Sequence, residues 1–254
     1  MERLTIIFGI VAAYIIVSTI VGMASVKKTK DTASFMTAKK QMGPVVIGIL
    51  MMSEFIGTGS TLGTAQTAYE KGYAAAWNLV TLGIGYLLYA FYMAPKFQEL
   101  GEYTISGALA RKYGQGVRIV VSLTMIYALT TVNVSMYTGG AATIASLLQI
   151  PIGTAIFIIG IVTILSVALG GMRGVGQANL IHAAFKYLGL IVVAWTGWQL
   201  LDVKPELLTT VPAVHFTMSG ISTSTLIAWT IANIGAVFST QYVIQCISSL
   251  STPA

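Results

Sequence analysis

Apolar residues occur in long blocks separated by short polar stretches, near 4–26, 43–69, 73–94, 118–148, 153–169, 179–201 and 221–249. Each block can cross a hydrocarbon core about 30 Å thick as a helix, which takes roughly 17–25 residues. The pattern therefore predicts an all-α integral membrane protein with seven transmembrane helices. Blocks 43–69, 118–148 and 221–249 are longer than a straight crossing needs, which predicts strong tilt or an interrupted helix. The first and last of these also carry ladders of small and hydroxyl residues.

Composition supports the membrane class: 56% of the residues are hydrophobic and 9% charged, and the mean hydropathy is +0.81, far from soluble usage. The net charge of +6 is carried by short loops, so it reports topology and not a nucleic-acid partner. With the N-terminus outside, Lys27, Lys28, Lys30, Lys39, Lys40, Lys96, Arg111, Lys112, Arg118 and Arg173 fall in cytoplasmic loops, against Arg3, Lys71 and Lys204 outside. The excess of cytoplasmic cations sets that orientation, and seven crossings put the C-terminus in the cytoplasm. The expected location is a multi-pass protein of the cytoplasmic membrane. The first block is long enough to span and is followed by a basic loop without a small-residue cleavage site, so it reads as a helix and not a leader. Cys246 is the single cysteine, which rules out an intrachain disulfide. The loop from Lys96 to Val117 predicts a short amphipathic interfacial helix ended by Gly114. The polar loop before the last block holds His215, expected to be solvated.

Removing the loop charges leaves Glu54 and Lys186 as the charged residues inside spans. An ionisable group at membrane depth costs several kcal/mol unless paired, neutralised or facing water, so both are functional candidates. No glycine-rich phosphate loop, clustered metal ligands or facing carboxylates accompany them, which argues against an enzyme. Glu54 precedes Gly57, Gly59 and Gly63, which are interleaved with Thr58, Ser60, Thr61 and Thr64. Two readings fit. The segment is a helix break, whose freed carbonyls coordinate a cation and whose outer half-helix faces an anionic group, or it is a small-residue packing face. The adjacent carboxylate and the overlong block favour the break. Tyr86, Tyr89, Phe91 and Tyr92, and Trp195 with Trp198, read as interfacial belts. Met51 and Met52 read as packing, with bordering a solute the alternative for Met51, and Asn133 and Ser135 read as hydrogen-bonding between helices.

Several stretches together resemble the sodium:solute symporter family: "SEFIGTGSTLGTAQTAYEKG" its first core helix, "DTASFMTAKKQMGP" the cytoplasmic stretch before it, "YTISGALARKYG" its interfacial helix, "GGMRGVGQANLIH" its Gly-Gly segment and "STQYVIQCISSLS" the end of its seventh span. The resemblance implies the leucine-transporter fold, two inverted five-helix repeats preceded by an extra helix. On that template residues 1–42 are the extra helix and a cytoplasmic loop, 43–201 the first five-helix repeat, and 202–254 an external loop with the first helix of an incomplete second repeat. The chain is then expected to be a fragment that needs a C-terminal half or a partner chain. The implied function is secondary active transport of a small polar organic solute by alternating access. The carbonyls of Ile47 and Leu50 would serve a sodium site. Met51, Glu54, Thr240 and Gln241, with Trp77 and Asn78 more loosely, would face the solute.

Some positions depart from the family's pattern. The usual Asp of the Gly-Gly segment is Asn179, the following Gln is His182, and the same helical face continues to Lys186, about 10 Å from Asn179 at 1.5 Å per residue. Sodium is the coupling ion the resemblance implies, while Asn179, His182 and Lys186 make protons, or no ion, the alternative. The other readings of Lys186 and His182 are a lysine snorkelling to the cytoplasmic face and a hydrogen-bonded structural histidine. No cofactor is expected. A second functional class is the transporter-like membrane module of a sensor protein.

Overall fold

The computed structural model describes residues 2–24, 35, 36, 38, 42–102 and 104–251, with backbone alone at 2–4, 22–24, 54 and 165–170. Lys27, Lys28, Lys30, Lys39 and Lys40 lie outside the described residues. The described chain is α-helical throughout its long elements: α1 (Glu2–Ala24), α2 (Pro44–Phe55), a π-helical turn (Gly59–Gly63), α3 (Thr64–Lys71), α4 (Ala76–Tyr92), α5 (Ala94–Leu100), α6 (Ile105–Tyr113), α7 (Gln115–Leu148), α8 (Ile152–Val203), α9 (Leu207–Thr210), α10 (Thr223–Ser239) and α11 (Gln241–Ser248). Three helical stretches among the described residues are long and apolar enough to cross a bilayer, Gly59–Tyr92, Gln115–Leu148 and Gly171–Val203. The first is interrupted at Gly72, whose φ of 63° and ψ of −141° leave the helical region. Phe91, Tyr127, Trp198 and Ile231 are each more than two-thirds exposed, as suits side chains solvated by lipid.

Local chemistry accounts for the helix ends. Pro44 opens α2 in the first turn, where its missing N–H costs nothing. Thr104 caps α6 by accepting from Gly107 N at 3.0 Å, and Gly114 ends it with φ 86°, where a side chain would be strained. The short helix expected in the 96–117 segment is thus present and ends at Gly114, with Arg111 tied to Glu102 at 2.7 Å. The 34 residues of α7 reach about 51 Å at 1.5 Å per residue, so this helix outruns a straight crossing. The expected loop over 170–178 is instead helical. Gly171 alone leaves helical geometry, with φ 57° and ψ −161°, and the helix resumes at once, so Arg173 stands on α8 and not in a loop.

The chain forms two compact units. The first holds α1, α2, α5, α6, α7, α8 as far as Ile181, and α11. Its core is Ala38, Met42, Ile47, Leu50, Met172 and Cys246, flanked by Val46, Met51, Val175, Tyr242 and Leu250. Met42 N donates to Ser249 O at 3.1 Å and Ser251 N to Met42 O at 2.9 Å, a short parallel bridge that ties the start of α2 to the end of α11. Gly176 on α8 provides a notch whose Cβ position is occupied by the end of Met42 and lies 3.7 Å from Leu50 Cδ1.

The second unit holds the π turn, α3, α4, α8 from His182, α9 and α10. Helix α10 lies against α4, where a Cβ on Gly85 would come within 3.2 Å of Ile234 Cα. Tyr89 is fully buried and meets Phe238 edge-on at 5.5 Å. It belongs to this helix contact and not to the interfacial belt expected for it, because it points to the face of α4 that α10 covers. The 211–220 loop is pinned to the α3–α4 junction. Trp77 Nε1 donates to Met218 O at 2.9 Å, Tyr73 meets Phe216 edge-on at 6.1 Å, and Gly72 presses on the His215 backbone. His215 is consequently half-buried and not the freely solvated loop residue expected.

Candidate functional site

Helix α2 ends in the segment that carries the polar ladder. Phe55 is its last residue; Ile56, with φ −85° and ψ 66°, leaves the helix while its N–H still donates to Met52 O at 3.2 Å. Gly57 lies in a bend and Gly59 begins the π turn that Gly63 ends. None of these three glycines takes a left-handed φ. Gly57 supplies room: a Cβ there would stand 3.0 Å from Met136 Sδ on α7. A Cβ on Gly59 or Gly63 would meet nothing within 4 Å, so neither is a tight packing contact among the described residues. The end of α2 directs carbonyls, the negative end of the helix dipole, towards the break, which suits a cation.

Glu54 lies in the last turn of α2; its side chain is outside the described residues. Ile47 is 5% and Leu50 0% exposed, with side chains in the apolar core of the first unit. Their carbonyls fall inside α2, where the helix ladder already occupies one lone pair of each, and a second lone pair remains for an ion. Met51 flanks the same core, as does Tyr242 from α11.

A second interruption separates α10 from α11. Thr240 has φ −77° and ψ 117°, and its N and Oγ1 both donate to Ala236 O, at 3.0 and 2.7 Å. Gln241 opens α11 and is half-buried. The length of the 221–249 block signalled this feature, without its position.

Trp77 and Asn78 belong to the second unit, and their polar atoms serve its packing. The Trp77 indole holds Met218. Asn78 O and Oδ1 accept from Asn233 Nδ2, each at 2.9 Å. Asn179, His182 and Lys186 lie on α8 at i, i+3 and i+7, all half-buried; Asn179 belongs to the first unit and the other two to the second. Sequence reasoning missed Met136 and Gly139 on α7, although "TGG" at 138–140 in an apolar helix was a signal. It also missed a cavity of about 200 Å³ lined by Met42, Val46, Arg173, Gln177 and Leu180, among others. Among the described residues no three His, Cys, Asp or Glu cluster to hold a metal ion.

Residues 35–245 match the model of the sodium:solute symporter family, and the chain belongs to that family. It is 25% identical over 189 residues to the Uncharacterized symporter YwcA of Bacillus subtilis, a match covering 72% of this chain and 37% of that protein. It is 22% identical over 205 residues to the human Sodium/iodide cotransporter, covering 80% and 32%. To the human High affinity choline transporter 1 it is 20% identical over 193 residues, covering 72% and 33%. The chain thus spans about a third of the length of the curated relatives it matches.

Proposed function

We propose that this chain forms part of a secondary active transporter that moves a small polar organic solute across the cytoplasmic membrane by alternating access, with sodium as the coupling ion. The observation that carries the reading is the pair of interruptions, at Ile56 after α2 and at Thr240 before α11, in a member of the sodium:solute symporter family. Unwound segments expose backbone carbonyls and amides at membrane depth, where ions and solutes can replace the lost ladder partners. In this proposal 43–201 is the first of two inverted repeats, 221–249 opens the second, and seven spans leave the C-terminus in the cytoplasm. Ile47 and Leu50 contribute carbonyls to sodium; Met51, Glu54, Thr240 and Gln241 face the solute. The remaining core helices come from a complementary half, in the same polypeptide or in a partner chain.

Relatives named for iodide and for choline carry solutes of opposite charge, so the solute does not follow from likeness. Glu54 favours an amine, a guanidinium or a polyol. The half-buried Lys186, inside the apolar Gly171–Val203 stretch of α8, supports a second reading, in which a proton replaces sodium. Uptake of sugars, amino acids and carboxylates into vesicles holding the chain with its complementary half, under a sodium gradient or a proton gradient, tests both. Accumulation under sodium alone supports the first reading, accumulation under protons alone the second, and none under either gradient removes both.

A further inference from the structure

The break after α2 rests on α7 through two contacts of different kinds. At Thr58 the contact is rigid. A Cβ on Gly139 would stand 2.8 Å from Thr58 Oγ1 and 3.1 Å from Thr58 Cβ, where ordinary contact starts at 3.4 Å; the shortfall to Oγ1 is 3.4 − 2.8, about 0.6 Å. Thr58 is β-branched and has few rotamers with which to escape. At Gly57 the contact yields. A Cβ there would meet Met136 at Sδ, 3.0 Å away, and at Cε, 3.3 Å away, the far end of an unbranched, adaptable side chain. Met136 also borders a cavity of about 220 Å³ lined by Asn133, Tyr137, Ile159 and Thr163, which gives it somewhere to go. Thr58 Oγ1 bonds the Met136 sulfur at 3.8 Å, linking the two contacts.

We propose that Gly139 and Thr58 form the fixed seat of the helix break, and that Met136 with the cavity behind it forms its compliant side. Gly139 and Met136 are then positioning residues: they hold the carbonyl-bearing end of α2 in place without touching solute or ion. The role rests on the reading of that break as part of the transport site, but the seat itself is a matter of geometry and needs no solute to test.

The test uses the protein in membrane vesicles, with Cys246→Ser and a reporter Ser53→Cys beside the break, and measures modification by a small thiol reagent. Gly139→Ala should change the rate by about tenfold, since displacements of under an ångström are felt strongly at positioned groups, with the thermal midpoint held within a few degrees. Gly57→Ala adds the same methyl to the same interface and should change the rate less than about twofold, because Met136 gives way. Thr58→Gly combined with Gly139→Ala moves the glycine across the contact and should restore the parent rate. Equal rates for Gly139→Ala and Gly57→Ala, or no restoration by the double variant, would overturn the seat. If Gly139→Ala does not reach the membrane, recovery of the double variant supports the seat and its failure to recover refutes it. Labelling involves no transport, so failed uptake bears on the transport reading and not on this one.

Discussion

Asn233 offers a sharp test of how the second unit holds together. Its Nδ2 lies 2.9 Å from Asn78 O, Asn78 Oδ1 and Thr81 Oγ1. Two hydrogens serve three acceptors, so two bonds are good and one is shared. Thr81 Oγ1 donates to Trp77 O at 2.9 Å or Asn78 O at 3.1 Å, which turns its lone pair to Asn233. Bonds between helices in membranes are worth about 0.6 kcal/mol on average and about 1.7 at most. Asn233→Ala should therefore cost about 1–3 kcal/mol. Asn233→Asp removes the donor and places a carboxyl against three acceptors. A carboxylate held there, away from water and facing acceptors with no donor beside it, costs about 3–5 kcal/mol. At about 2–4 °C per kcal/mol, thermal unfolding in detergent should place Asn233→Ala a few degrees below the parent and Asn233→Asp on the order of 10 °C below it. Equal midpoints for the two variants would refute the donor role of Asn233.

Three further outcomes follow from the same structure. Gly72→Ala should sharply reduce the amount of folded protein, by an equivalent of several kcal/mol, because it combines φ 63° with a clash against the His215 backbone; a Tm unchanged within error would show the junction to be adjustable. In a Cys246→Ser background, a cysteine at Thr209 should label from outside and one at Lys112 only after permeabilisation, and labelling of both from one side would remove the seven-span topology. In the transporter carrying this chain, Lys186→Ala should abolish proton-driven uptake; sodium-driven uptake that survives Lys186→Ala unchanged leaves Lys186 as a snorkelling residue.

Hydropathy made the membrane class and the long helices legible, since a block such as 118–148 has no soluble interpretation. The short helix of 105–113 was equally readable, from a basic last turn and a terminal glycine. What the sequence hid was the use made of its glycines. The ladder at 57–63 advertised a break, yet the departure occurs at Ile56 with an ordinary negative φ, while the left-handed glycines are Gly72, Gly101, Gly114 and Gly171. The Gly-Gly pair at 170–171 looked like a loop because one residue can end a helix, and nothing local tells an end from a single-residue interruption. Facing was hidden too. A membrane helix is apolar on all sides, so periodicity does not separate lipid from protein neighbours, and the sequence alone gives Tyr89 the same reading as its exposed neighbours Phe91 and Tyr92. The contact of Thr58 with Gly139 joins positions 81 residues apart, as 139 − 58, and is invisible to any local pattern.

Gradient-driven uptake decides whether the interrupted α2 of this member of the sodium:solute symporter family serves ion-coupled transport. Vesicles should contain this chain together with its complementary half and be offered radiolabelled sugars, amino acids and carboxylates, with an inward sodium gradient, with equal sodium on both sides, or without sodium. At least one solute should accumulate above the outside concentration under the gradient, lose that accumulation when the gradient is collapsed, and have its uptake strongly impaired by Glu54→Gln. Uptake that only equilibrates, whatever the gradient, and is indifferent to Glu54→Gln would contradict that role.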